Sequence, residues 1–226
     1  MVRFYDMVNG SIIFPSSTKT AMHLKQLSIL FAGTLLIAAC KKKEDPAPAT
    51  PDPGPPAPPS FTIESAPVFY AEIDGTPAQF SDGANGIENL TAWSAWANPT
   101  SYRSFFFNNS EDEIKAEITL GGLSYSGSAP TDQEFFDFFT PGSKPFISTT
   151  NSEGVEISLP AGGMISASGF GVQPAESDFT ITDVIPYDDG SGIPKVKVRA
   201  TFNCKLYGPS TRTITNGTFV GVFAKE

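Results

Sequence analysis

Residues 195–207 read KVKVRATFNCKLY, and they alternate without a break. Val196, Val198, Ala200, Phe202, Cys204 and Leu206 fall on one side, while Lys195, Lys197, Arg199, Thr201, Asn203, Lys205 and Tyr207 fall on the other. Successive side chains of an extended chain point to opposite faces. A period of two sustained over this length therefore predicts a strand with one face on a core and one in water. Residues 113–120 repeat the pattern, with Ile114, Ala116, Ile118 and Leu120 expected inward. Shorter strands are expected at 68–73, 78–81, 101–107, 123–126, 155–159, 164–167, 179–185 and 213–223. Turn formers separate them: Asp74-Gly75, Asn108-Asn109, Gly121-Gly122, Gly162-Gly163, Asp188-Asp189-Gly190 and Gly208-Pro209.

One helix interrupts the strands. Thr131-Asp132-Gln133-Glu134 has the spacing of a capping box, and Thr140-Pro141-Gly142 stops what it starts. Phe135 and Phe139 are four apart, so they share a helical face and predict a lid packed phenylalanine-side down. About ten strands with short links and one short lid helix define an all-β fold, an antiparallel β-sandwich. A closed β-barrel is the alternative.

The sandwich is expected over residues 61–226. What precedes it is of another kind. Lys25 stands before an uncharged apolar run at 27–39. As a helix that run would span about 20 Å, against a hydrocarbon core of about 30 Å, which is the dimension of a secretory signal and not of a membrane span. Met22 opens a conventional signal at 22–39, so residues 1–21 are expected to be translated upstream sequence, a long leader from Met1 being the alternative. Within residues 46–59, eight of fourteen are proline. Such a tract has few donors and favours polyproline II, so residues 40–60 read as a tether.

Ile37-Ala38-Ala39-Cys40 resembles the lipobox of bacterial lipoproteins. The resemblance implies diacylglyceryl attachment to Cys40, cleavage before it, and acylation (palmitate being the usual chain) of the new amino terminus. Two or more chains make a lasting anchor where one does not. Lys43-Glu44-Asp45 resembles the signal that marks surface-exported lipoproteins of the Bacteroidota. FYAEIDG, TDQEFFDFFTPG, GVEISL, DFTITDV, VRATFNCKLYG and TITNGTFVGVF, in that order, resemble uncharacterised lipoproteins of the same phylum. That likeness spans most of residues 68–223 and implies a β-sandwich on a lipid anchor, with no activity attached, while the lipobox and Lys43-Glu44-Asp45 together imply the cell outer membrane.

Composition narrows the chemistry. From Phe61 onward there are 9 Lys+Arg and 20 Asp+Glu, a formal balance of −11. A surface of that sign repels phosphate backbones, so no nucleic-acid partner is expected. The only histidine is His23, inside the signal. Ser-His-Asp and Cys-His catalysis and His-ligated zinc or haem are thereby excluded from the mature chain. With Cys40 lipidated, Cys204 has no disulfide partner, and its place beside Phe202 and Leu206 makes it a small core residue. No cofactor is expected. The acidic turn at Asp188 and Asp189 offers oxygens suited to calcium, but without the alternate-residue spacing of a calcium loop. Trp93, Trp96 and Tyr102 are the candidate rings for stacking on a ligand, the alternative being that both tryptophans fill the core of a phenylalanine-rich domain. Phe105-Phe106-Phe107, on one strand, must send at least one ring to the face opposite the others.

These features lead to a non-enzymatic binding or interaction module, held to membrane lipid through Cys40, with a glycan or a protein as partner. A structural component of an outer-membrane assembly is the second expectation. A small glycosidase working with two carboxylates is the third, since such chemistry needs no histidine.

Overall fold

The computed structural model describes residues 57–94, 97–148, 152–160, 165–167 and 172–225. Cys40, the Lys43-Glu44-Asp45 segment and Trp96 lie outside the described residues, as do the signal and most of the tether. Eleven strands and one helix follow in chain order: β1 (Val68–Ile73), β2 (Thr76–Ser81), β3 (Ile87–Trp93), β4 (Thr100–Asn108), β5 (Glu113–Leu123), α1 (Asp132–Phe138), β6 (Gly142–Ser143), β7 (Gly154–Leu159), β8 (Ile165–Ser166), β9 (Asp178–Pro186), β10 (Lys195–Leu206) and β11 (Arg212–Ala224). They form two antiparallel sheets, ordered β2-β1-β11-β10-β9-β6 and β3-β4-β5-β7-β8. The sheets share one apolar core and do not close into a barrel. The sandwich expectation holds and the barrel alternative does not.

β10 has the predicted alternation, but its outer face is not open to water as expected: Lys197 is buried and the other outer residues are half-buried. Val196, Val198, Ala200, Phe202, Cys204 and Leu206 are all buried. Each alternate residue pairs with β9 or β11 on the outer face, Arg199 with Asp183 and Val220 for example. On β5 the expectation needs one correction. Ala116, Ile118 and Leu120 point inward, but a bulge shifts the register so that Phe106 faces Ala116 while Phe107 faces Ile114. Paired residues share a face, so Ile114 turns outward with Phe107. The strand expected at 123–126 is also corrected. Only Leu123 belongs to a strand, as the end of β5, and Tyr125 lies in a loop whose hydroxyl donates to Ala97 O at 3.1 Å.

The lid helix forms as its sequence requires. Thr131 Oγ1 accepts from Glu134 N at 3.2 Å, and the Glu134 carboxylate accepts from Thr131 N at 2.7 Å. Phe135 packs edge-on against Tyr102 of β4, with centroids 5.0 Å apart, and Phe139 lies 5.0 Å from Phe223 of β11. The helix thus joins the two sheets at one end of the sandwich. The chain after it stitches one long side. Lys144 N donates to Phe179 O of β9 at 2.9 Å, and Pro145 O accepts from Val155 N of β7 at 2.8 Å. That approach depends on Gly154, at φ +125°, where an added Cβ would stand 2.1 Å from Pro145 O.

The two outer faces are treated differently. On the six-stranded sheet, Val68, Tyr70 and Val220 face outward by register yet are buried. The segment entering the domain covers them. The Phe61 ring lies 6.2 Å from Tyr70, and Phe61 O accepts from Arg199 Nε at 2.7 Å. Pro58 and Pro59, assigned to the tether from sequence, lie beside Thr201 and Thr218 on this same face. No described segment covers the outer face of the five-stranded sheet in this way.

Candidate binding face

Of the three rings considered for stacking on a ligand, Trp96 lies outside the described residues, Trp93 is half-buried and Tyr102 is enclosed. Tyr102 is 0% exposed, enclosed by Phe135, Phe138 and Phe139 of the lid and by Trp93, which stacks at 6.3 Å and 10°. This corrects the expectation for Tyr102: β4 turns it inward, under the helix, where it seals the core. Trp93 is half-buried and packs on the core edge through that stack. Asp188 and Asp189 build their own turn. Asp188 Oδ1 accepts from Gly190 N at 2.8 Å, and Asp189 Oδ1 accepts from Ser191 N at 3.1 Å. Lys195 Nζ donates to Asp189 Oδ2 at 2.6 Å and, as the largest cause, holds that carboxyl well below the usual range. No cluster of three metal-binding side chains occurs among the described residues.

The buried Tyr102 has a measurable consequence. Its hydroxyl has no hydrogen-bond partner, and burial, with smaller effects from Tyr125 and Glu134, pushes its pKa from 10.0 up to about 12. Burial, aided by Asp178, likewise pushes the Cys204 thiol from 9.0 up to about 12. Between the ordinary and raised values the unfolded chain has released protons that the folded chain still holds. The contribution of these two groups to stability therefore stays level up to about pH 8.5 and falls as pH rises towards 12. Tyr102→Phe is expected to remove the tyrosine share of that fall above about pH 10. Because the hydroxyl it deletes is unpartnered, it should leave pH 7 stability equal or up to about 1 kcal/mol higher. Urea titrations at pH 7, 9 and 10.5 check both, and a clear loss at pH 7 would show that the hydroxyl has a partner in solution.

The uncovered face carries a different set of groups. Register places Leu90, Phe105, Glu117 and Ser158 in one row across β3, β4, β5 and β7. The next row is Ala92, Arg103, Thr119 and Glu156, and Glu88, Phe107 and Ile114 form a third. Leu90 is 37% exposed, and Phe105, Phe107 and Ile114 are half-buried. Arg103 ties the rows together. Its Nε donates to Glu117 Oε1 at 2.8 Å and its terminal amine to Oε2 at 2.5 Å, while its guanidinium carbon sits 5.9 Å from the centre of the Phe105 ring. A two-pronged pair of this kind fixes a planar cation beside a ring. Thr119 Oγ1 also donates to Glu117 Oε1, at 3.0 Å, and Ser166 Oγ donates to Glu156.

The result is a flat strip, apolar at Leu90, Phe105, Phe107 and Ile114 and hydrogen-bonding at Arg103, Thr119, Glu156 and Ser158. Both oxygens of Glu117 accept from Arg103, so this carboxylate positions its neighbour and is not free to attack or to transfer a proton. The phenylalanine triplet was the sequence signal for this face. Two rings of the three turn outward and only Phe106 enters the core. Leu90 and Arg103 carried no signal, because a single exposed leucine and a strand arginine are common on any sheet.

No protein-family model, no curated protein and no solved structure matches this chain. The class is therefore set by the fold itself, an antiparallel β-sandwich with a helical lid at one end and an open apolar strip on one sheet.

Proposed function

We propose that this protein is a lipid-anchored envelope component that binds neutral glycan on the outer face of its five-stranded sheet, without catalysis. The observation that carries the reading is the strip of Phe105, Phe107 and Leu90, left uncovered while the opposite sheet is roofed by its own chain. The apolar C–H face of a sugar stacks on a flat ring. Phe105 and Phe107 stand two residues apart on one strand, about 7 Å, and so present two rings on the same face. Arg103, Glu156 and Ser158 stand alongside to meet hydroxyls. The formal balance of −11 from Phe61 onward favours an uncharged polysaccharide over an anionic one. The anchor at Cys40 and the outer-membrane address rest on the lipobox resemblance.

Purified chain is presented to immobilised laminarin, mannan and xylan, beside a variant carrying Phe105→Ala and Phe107→Ala. Binding to at least one polysaccharide, weakened at least tenfold in the variant with an unchanged far-ultraviolet circular dichroism spectrum, is the expected result. Absence of any binding, or equal binding by the variant, would sink the glycan reading. The anchor is read separately, by palmitate incorporation that Cys40→Ser abolishes.

A further inference from the structure

The end of the sandwich opposite the lid is built differently. Where Phe135 and Phe139 plug one end, the other opens into a cavity of about 380 Å³. Its walls come from both sheets: Ile73, Ala78 and Phe80 from the β1–β2 hairpin, Leu206 from β10 and Leu159 from β7. Leu159 and Leu206 are buried core residues, so the floor of the cavity is the core itself. The volume falls within the roughly 300–1,000 Å³ of small-molecule sites. It is more than twice that of an engineered cavity of about 150 Å³ that takes up benzene.

The rim limits what could enter. Its two cations are Lys115 and Arg212, and both are already neutralised. Lys115 Nζ donates to Glu113 at 2.8 Å and to Glu111, and Arg212 pairs with Asp74 at 2.9 Å. Asp74 is itself fixed, its other oxygen accepting from Thr213 N at 2.8 Å. Three carboxylates against two cations leave the mouth with a slight negative excess. An anionic head would have to displace a formed ion pair and face that excess, while an uncharged apolar body loses nothing at the rim and gains the walls.

We propose that this end cavity binds a small uncharged apolar molecule, of about two to three fused or linked rings in size. The site stands apart from the outer face of the five-stranded sheet and does not depend on the glycan reading. The probes are N-phenyl-1-naphthylamine and 1-anilinonaphthalene-8-sulfonate, which share a ring skeleton and differ by a sulfonate. With the full chain carrying Cys40→Ser, the neutral probe is expected to bind saturably, with a fluorescence rise, at least tenfold tighter than the anionic one. Ala78→Phe, which fills the cavity from the hairpin, should weaken the neutral probe at least tenfold. If Ala78→Phe does not fold, Thr76→Trp at the exposed rim blocks the mouth instead and is expected to do the same. The Phe105→Ala and Phe107→Ala variant should bind the probe as the parent does. Unchanged binding in a folded cavity variant, no saturable binding by the parent, a loss in the outer-face variant, or equal affinity for the two probes would each overturn the proposal.

Discussion

Phe139→Ala is expected to lower stability by about 3–5 kcal/mol, the usual cost of emptying a well-packed phenylalanine site. Phe139 is 3% exposed, and its ring lies 5.1 Å from Phe135, 5.7 Å from Tyr102 and 5.0 Å from Phe223. It therefore touches the helix it caps, one strand of the five-stranded sheet and one of the six-stranded sheet. A helix as short as Asp132–Phe138 cannot persist on its own hydrogen bonds, even with its capping box formed. Its stability comes from the rings beneath it. Removing Phe139 uncouples the lid from β11 as well as leaving a void, so the substitution loses both the packing of the ring and part of the closure of that end. The melting temperature is expected to fall by roughly 6–20 °C for a domain of this size. Phe136→Ala, at a half-buried position on the same helix, provides the comparison and should cost clearly less. A loss below about 1 kcal/mol for Phe139→Ala would mean that the lid contributes little to holding the sheets together.

How far the fold could be read from the sequence depended on whether one rule governed a segment. In β10 the alternation of apolar and polar residues is decided by burial alone, and it was legible throughout. The lid was legible because the Thr131 and Glu134 cap and the Phe135 and Phe139 spacing are local chemistry. β3 (Ile87–Trp93) was not legible, and Asn89 is the reason. It points inward by register, opposite Phe106, where a strand pattern would place an apolar residue. Its amide replaces packing with hydrogen bonds: Oδ1 accepts from Val222 N of β11 at 3.1 Å, and Nδ2 donates to Ser104 Oγ at 3.0 Å and to Phe105 O at 3.3 Å. Val222 lies past the end of the pairing between β1 and β11, so a side chain from the facing sheet supplies what the ladder lacks. A polar residue used as a staple between sheets erases the signal that would have revealed its strand.

The site was legible to a different degree. That the three phenylalanines would divide between the two faces followed from the pleat, but which of them would face outward did not, because alternation alone does not say which side meets the core. The inward turn of Tyr102 could not be foreseen from its neighbours Trp93 and Trp96. It depends on which face of β4 meets the lid, a tertiary choice. The end cavity had no local trace at all, since Ile73, Lys115, Leu159, Leu206 and Arg212 meet only when both sheets are assembled.

The glycines of β11 carry the second large effect. Gly221→Ala is expected to cost close to 3 kcal/mol, the upper part of the range for overfilling a packed core. A Cβ there would stand 2.2 Å from Phe219 Cζ, 2.5 Å from Phe219 Cε2 and 2.8 Å from Ser104 Oγ. Phe219 precedes Gly221 by two residues on the same inward face, and its ring leans along the strand over the glycine. It cannot swing aside: Phe106 meets it edge-on at 6.3 Å, and Phe223 lies 5.9 Å away. Gly217 performs the same service for Phe202, whose ring would be 2.4 Å from an added Cβ. Glycine ordinarily weakens a strand interior. Here its missing side chain leaves the space that two large rings occupy, and the rings return more burial than the glycines forgo. If that is the cause, Phe219→Leu should relieve the clash, because it removes the two ring atoms that a Cβ would meet. The double variant should then be more stable than the sum of the two single losses predicts, by about 0.5–3 kcal/mol. Relief is expected to be partial, since Ser104 Oγ stays in place. Strict additivity in urea titrations of the four proteins would show that the ring is not what Gly221 accommodates, and that the cost arises in the backbone of β11.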